Sequence, residues 1–193
     1  MESSTTGLTS IVYPWIQKIS VSGNINNGNI IPISYKINDY RGADKEGHIY
    51  INYENKIPII ISSEPDALND SRRQNVSNTL KINSFDPVTS IIALSILSSK
   101  NICNTIIPVF DGRRRFDLEY RNIEKNDDML LCNLNIKRIA GYSNKELKKH
   151  PKEGEIKLSL LDKHKSLFFP TEVKIPLTIG SFLVKLNANL IME

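Results

Sequence analysis

The sequence predicts a mainly β (α+β) fold: an antiparallel meander with one short buried helix, in a single domain over residues 1–193. Three observations carry this. Apolar residues recur at every second position in most segments. The connections between those segments are short and rich in Gly, Asn, Asp and Pro, which suits hairpins rather than strand–helix–strand crossovers. One run alone, FDPVTSIIALSILSS, is apolar around most of a helical circumference.

Residues 1–10, MESSTTGLTS, read as disordered, and with no basic start and no apolar stretch they do not form a signal peptide. IIPISYKI places Ile31, Ile33, Tyr35 and Ile37 on one strand face and Ser34, Lys36 and Asn38 on the other, after the hairpin signal NNGN. HIYINYE alternates Ile49, Ile51 and Tyr53 against His48, Tyr50 and Asn52. Residues 65–83 are polar and read as an irregular loop. The helix follows over about residues 86–98, with Asp86 as N-cap acceptor and Pro87 at the first helical position, where its missing N–H is not needed. Val88, Ile91, Ile92, Leu94, Ile96 and Leu97 cover most of its surface, so it packs on the sheet. Further strands place Ile156, Leu158 and Leu160 against Lys157 and Ser159, then Val173, Ile175, Leu177 and Ile179, then Phe182, Val184 and Leu186.

Hydrophobic residues make up 40% and charged residues 24%, which excludes global disorder. The net charge of +4 comes from scattered lysines, a pattern of solubility rather than of a nucleic-acid footprint. No segment has the ~20 apolar residues of a membrane-spanning helix.

The stretch PVFDGRRRFDLEY divides by period. Arg113, Arg115, Asp117 and Glu119 form a mixed, solvated face, whereas Arg114 shares its face with Phe116, Leu118 and Tyr120. Arg114 therefore reaches the sheet edge, a buried carboxylate or an acidic group on a ligand. A hairpin of residues 113–121 with 129–139, turning near Lys125, pairs Tyr120 with Leu130, Leu118 with Cys132 and Phe116 with Leu134. Cys103 and Cys132, both in strands flanking the arginine strand, are either a disulfide or two separate buried thiols. Two cysteines without a neighbouring histidine make no metal site. His48 sits on a polar strand face, and His150 and His164 in lysine-rich turns; Asp127 and Asp128 lie in a turn. No nucleophile elbow, phosphate loop, dinucleotide fingerprint or zinc-protease motif occurs, so no catalytic residue and no cofactor is expected.

The strings NSFDPVTSIIAL, NICNTIIPVFDGRRRFDLEY, LCNLNIKRIAGY and FFPTEVKIPLTIGSFLVKL, in this order, resemble the alphaproteobacterial exported proteins of the domain of unknown function 3108 family. The resemblance covers residues 11–191 and is sharpest over 86–142. It falls on Asp86, Pro87, Cys103, Asp111, Gly112, Arg113, Arg114, Arg115, Asp117, Cys132 and the run from Arg138 through Gly141 to Tyr142. It implies a single curved antiparallel sheet, or half β-barrel, like that of periplasmic lipoprotein carriers, with the helix on its concave side. It also implies a Cys103–Cys132 disulfide and a periplasmic or secreted location. Relatives carry a signal peptide and first strands for which this chain shows no counterpart, which implies an exposed sheet edge open to self-association or to an envelope protein partner.

The functional expectation is a non-catalytic binding or carrier module for a lipid or lipoprotein ligand. Phe116, Leu118, Tyr120, Leu134, Ile91, Ile92 and Leu97 would line the concave side, with Arg114 for an acidic headgroup. The alternatives are a structural or assembly protein of the cell envelope and, third, a basic nucleic-acid-binding module built on Arg113–Arg115 and NKELKKHPK; no nucleic acid is expected as a partner.

Overall fold

The computed structural model of the chain describes residues 2–4, 15–41, 46–96, 102–149, 151–162, 167–176 and 181–185. Five strands come first: β1 (Glu2–Ser4), β2 (Trp15–Asn26), β3 (Asn29–Arg41), β4 (Glu46–Glu54) and β5 (Ile57–Glu64). Helices α1 (Asn78–Lys81) and α2 (Pro87–Ile96) follow. The remainder is β6 (Asn104–Phe110), β7 (Arg115–Lys125), β8 (Met129–Ala140), α3 (Asn144–Lys149), β9 (Glu153–Asp162), β10 (Leu167–Pro176) and β11 (Ser181–Lys185). The fold is mainly β and antiparallel with short helices, and its strands form two sheets, β1–β5 and β6–β11, each in sequence order and neither closed into a barrel. The polar segment between β5 and α2, which holds one turn of helix, separates them. Of residues 1–10, Glu2–Ser4 is described, paired with β2.

The segment before α2 is stitched to the β4–β5 turn by the Asn83 N–H on Lys56 O (2.9 Å), and to β6 through Phe85. The Phe85 N–H donates to Pro108 O (2.9 Å), and the Phe110 N–H donates to Phe85 O (2.8 Å). This turns Phe110 away from the second sheet and onto Tyr35 and Ile51 of the first.

In β4 and β9 the alternation holds: Ile51 is buried between half-buried Ile49 and Tyr53, and Ile156 and Leu158 are fully buried. In β3 it breaks. Ser22 pairs with Ser34 but Gly23 pairs with Pro32, so Ile33 is an extra residue. A bulge of this kind reverses which side chains face inward. Tyr35 and Ile37 pack on the inner face, as does Ile30, while Ile31 and Ile33 are exposed. The expected shared face of Ile31, Ile33, Tyr35 and Ile37 is thus corrected.

The β7–β8 register also differs from expectation. Tyr120 pairs with Leu134, Leu118 with Ile136 and Phe116 with Arg138, an even slip that keeps the faces matched. A bulge between Asn122 and Glu124 lets β7 run on to Lys125, and the turn closes with the Asn126 N–H on Met129 O.

The main core lies between α2 and the second sheet. It contains Ala93, Leu94, Ile107, Val109, Phe116, Leu118, Tyr120, Leu134, Ile156 and Leu158. The helix packs on β10 and β6, and its buried side is small, Thr89, Ser90 and Ala93 beside Leu94, while Ile91, Ile92 and Ile96 are only half-buried. Small residues at the contact let the helix approach the sheet closely, which is why it is not buried all round. Leu97, Leu177, Ile179, Leu186, His150 and His164 lie outside the described residues.

Cys103 and Cys132 form a disulfide with a Cα–Cα distance of 5.4 Å. Cys103 sits in the turn before β6, not in a strand, and the bond reaches across β7 to β8.

Candidate functional site

The three arginines separate at a tight turn. Asp111 opens it: its Oδ1 accepts the N–H groups of Arg113 (2.9 Å) and Arg114 (2.7 Å), and its Oδ2 accepts Arg114 Nε (2.8 Å). Gly112 has φ +93°, and a Cβ there would lie 2.5 Å from Ile49 Cγ2, so the turn lies hard against the first sheet. Because β7 begins only at Arg115, the strand alternation does not reach Arg113. Arg115 pairs with Asp117 (2.6 Å) on the expected shared face, but that face is not solvated there: the two side chains are 11% and 18% exposed, and Arg115 Nε also donates to Leu80 O (2.9 Å). Arg113 instead turns toward the 65–77 loop, where it donates to Pro65 O and approaches Asp70 at 3.7 Å.

Arg114 and Arg113 enter a network that the sequence reading missed. Asp70 accepts Arg73 Nε at 2.8 Å and Arg72 Nε at 2.7 Å. Arg73 reaches Glu146 at 3.2 Å, and Arg114 reaches Glu146 at 3.6 Å while its guanidinium lies over the Tyr142 ring. Glu146 is held by the start of α3, where its Oε2 accepts both the N–H (2.9 Å) and the hydroxyl (2.8 Å) of Ser143. SNKE at 143–146 is a capping box, and that spacing is the signal that could have found it. Gly141 has φ +81°, and a Cβ there would meet Arg113 O at 2.1 Å, so no other residue fits this crossing.

The inner part of the network is balanced. The buried or half-buried guanidiniums of Arg73, Arg113 and Arg114 face the carboxylates of Asp70, Asp111 and Glu146, while Arg72 is 67% exposed. Hydrogen bonds from Arg72 hold the Asp70 carboxyl well below the usual carboxylate range, although burial opposes this. Burial works to raise Asp111 too, but the Arg114 charge and the two backbone N–H groups outweigh it and hold the group low. Burial is likewise outweighed at Glu146, by Ser143 first and then by Arg114 and Arg73. The arrangement clamps the loop, the β6–β7 turn and the β8–α3 corner together.

Asp86 caps α2 as expected, its Oδ1 accepting the N–H groups of Val88 (3.0 Å) and Thr89 (2.8 Å). Its Oδ2 is buried, and the buried Tyr53 hydroxyl of β4 lies close enough to feel its charge. Burial raises the Asp86 carboxyl above its ordinary value of 3.8 despite the capping bonds. A raised folded value means stability that is complete below 3.8 and is lost as pH rises through the folded value. Asp86→Asn keeps the cap and removes the charge. Denaturant unfolding of both proteins is expected to show the variant gaining on the wild type as pH rises from 4 toward neutrality.

A further opening lies away from this network. Beyond the last β3–β4 pair, Ser34 with Asn52, β2 and β3 continue as a two-stranded arm to the turn at Asn27-Gly28. A groove of about 600 Å³ runs under this arm. Ile30, Ile31 and Pro32 form one wall, Ile106 and Ile107 of β6 the other, and Phe85, Ala93 and Ile96 the floor. Lys56, Asn83 and the asparagines of the turn supply the polar rim.

None of the expected lining residues that are described borders this groove. Phe116, Leu118, Tyr120 and Leu134 are packed in the main core, where the most open, Phe116, is 8% exposed. Ile91 and Ile92 are half-buried on α2, and Leu97 lies outside the described residues. Arg114 is engaged by Asp111 and Glu146. Among the described residues, no group of three or more His, Cys, Asp or Glu could hold a metal ion, and no helix is long and apolar enough to cross a membrane.

No curated protein and no solved structure has significant similarity to the chain. One family profile, described as protein of unknown function (DUF3108), matches residues 1–186. That span holds the Asp86–Pro87 helix start, both cysteines, the Asp111–Arg115 turn and the Gly141–Tyr142 corner, and on this match the chain belongs to the DUF3108 family.

Proposed function

We propose that the chain is a non-catalytic binding or carrier module for a hydrophobic or lipid-like ligand, acting in an oxidising compartment such as the periplasm. The observation that carries this reading is the groove under the β2–β3 arm, with its apolar walls and floor, polar rim and one lysine. Its size falls in the range of small-molecule sites, and Lys56 stands where an acidic headgroup would lie. The disulfide supports export, because such bonds persist in oxidising compartments. The charged network supports a non-catalytic role, because its inner carboxylates and guanidiniums are spent on one another.

Titration with a fluorescent fatty acid tests the reading. Saturable binding is expected, and Ile106→Asp is expected to weaken it by at least about tenfold, because it sets an unpaired charge in the groove. Ile106 is 61% exposed, so the fold tolerates the change. The absence of saturable binding, or equal binding by the variant, overturns it. A second reading, an assembly protein of the cell envelope, is favoured by the packed state of Phe116, Leu118, Tyr120 and Leu134 beneath α2; on that reading the fatty acid does not bind.

A further inference from the structure

Two hairpins of the first sheet close on two-residue turns in which both residues are left-handed. Between β2 and β3 these are Asn27 (φ +49°) and Gly28 (φ +75°), joining the pair Asn26–Asn29. Between β4 and β5 they are Asn55 (φ +50°) and Lys56 (φ +65°), joining Glu54–Ile57. Such turns favour Asn-Gly, because glycine enters the left-handed region at no steric cost and asparagine tolerates it. The first turn follows this preference and the second departs from it, with lysine where glycine is favoured. Among the described residues, the other non-glycine positions with positive φ are all asparagine: Asn27, Asn55 and Asn83. A residue kept in a sparsely populated conformation points to a use for its side chain.

Lys56 is exposed at the rim of the groove under the arm, and no other charged residue is among the described ones that line it. Its backbone is fixed from behind. The Asn83 N–H donates to Lys56 O (2.9 Å), and Asn83, itself left-handed at φ +60°, leads through Ser84 to Phe85 on the groove floor. Phe85 is bonded in turn to Pro108 and Phe110 of β6. The turn is thereby tied to the segment that carries the floor, which holds the cation against the apolar lining. One cation beside an apolar lining without acids is complementary to a molecule with one acidic end and an apolar chain.

We infer that Lys56 selects the ligand of the groove, a single-chain amphiphile with one carboxylate, whose acid meets the Lys56 amine while its chain lies against Phe85 and Ile106. This rests on the reading of the groove as a lipid-like site. It adds a preference for the acid over a neutral chain of the same length. It also accounts for the lysine in the turn, where stability is given up for recognition.

Displacement of a fluorescent fatty acid by lauric acid and by dodecanol, which have equal chain length, tests the inference. On the wild type the acid is expected to displace the probe at a concentration at least about tenfold lower than the alcohol. Lys56→Arg keeps the charge in the same turn and is expected to keep this preference. Lys56→Gly is expected to abolish it and, because glycine suits the turn, to raise the melting temperature by about 2–4 °C. The Asn83 bond is to the backbone, so the glycine variant retains it. A purely structural lysine would not give a variant that melts higher and discriminates less. Equal displacement by acid and alcohol on the wild type overturns this inference and leaves the groove as a binding site. A Lys56→Gly variant that keeps the preference, or that melts below the wild type, also overturns it. Absence of saturable probe binding overturns the reading of the groove and this inference with it.

Discussion

Reducing the Cys103–Cys132 bond is expected to lower the free energy of unfolding by about 3–4 kcal/mol, the chain-entropy value for a loop of this length. The two sulfurs are 29 residues apart in sequence, and both cysteines are buried in the main core. The bond ties the turn before β6 to β8 across β7, so it holds three strands of the second sheet together. Guanidinium unfolding with and without reductant measures the effect. The double variant Cys103→Ala with Cys132→Ala is expected to match the reduced protein, because it leaves no orphaned polar group behind. A difference under about 1 kcal/mol would mean that β6–β8 packing alone fixes the loop in the unfolded reference as well.

The second large effect is expected at Asp111. Asp111→Ala removes the acceptor for two backbone N–H groups and leaves the Arg114 guanidinium half-buried with only the distant Glu146 carboxylate. Breaking a buried pair from one side costs about 3–5 kcal/mol, much of it the stranded charge. Arg114→Met in the same chain removes that charge, so the double variant is expected to lose less than the two single losses added together. The sign of the pH dependence is fixed by the depressed Asp111 carboxyl. Its contribution is present above the ordinary value of 3.8 and is lost as pH falls through the lower folded value. The gap between wild type and Asp111→Ala therefore narrows in strong acid. Unfolding curves at neutral pH and at the lowest pH that keeps the protein folded check both statements.

Strand identity was legible because side-chain period is a local property. Ile49-Ile51-Tyr53 and Ile156-Leu158 announce their faces with no knowledge of their partners. One misreading arises where an extra residue changes the phase: the bulge at Ile33 puts Ile31 and Ile33 out of step with Tyr35 and Ile37. The β7–β8 pairing instead differs by an even slip, Tyr120 with Leu134 and not Leu130, which leaves the faces unchanged and so leaves no mark on periodicity. A bulge is dictated by the partner strand, so single-strand periodicity does not contain it. Arg113 was misplaced for a related reason, since alternation was extended through a turn that Asp111 and Gly112 had already bent. The charged clamp joins Asp70, Arg73, Arg114 and Glu146, which come from three separate segments, and only the 143–146 capping spacing marks any of it in the sequence. The groove leaves no local signal because its lining comes from the hairpin tip and from the edge of β6, which meet only in the folded chain.

Together these features assign different work to the two ends of the molecule. The arginine turn that dominates the sequence is scaffolding, satisfied by its own carboxylates. On the proposed reading, the uncharged arm and the groove beneath it are where an outside molecule fits. Native mass spectrometry of the protein, purified without detergent from the cells that make it, tests this division most directly. The account predicts a bound hydrophobic species on the wild type and on Arg114→Met, and its loss from Ile106→Asp. Wild-type protein that carries no such species, or an Arg114→Met variant that folds but loses it while Ile106→Asp keeps it, would contradict the account.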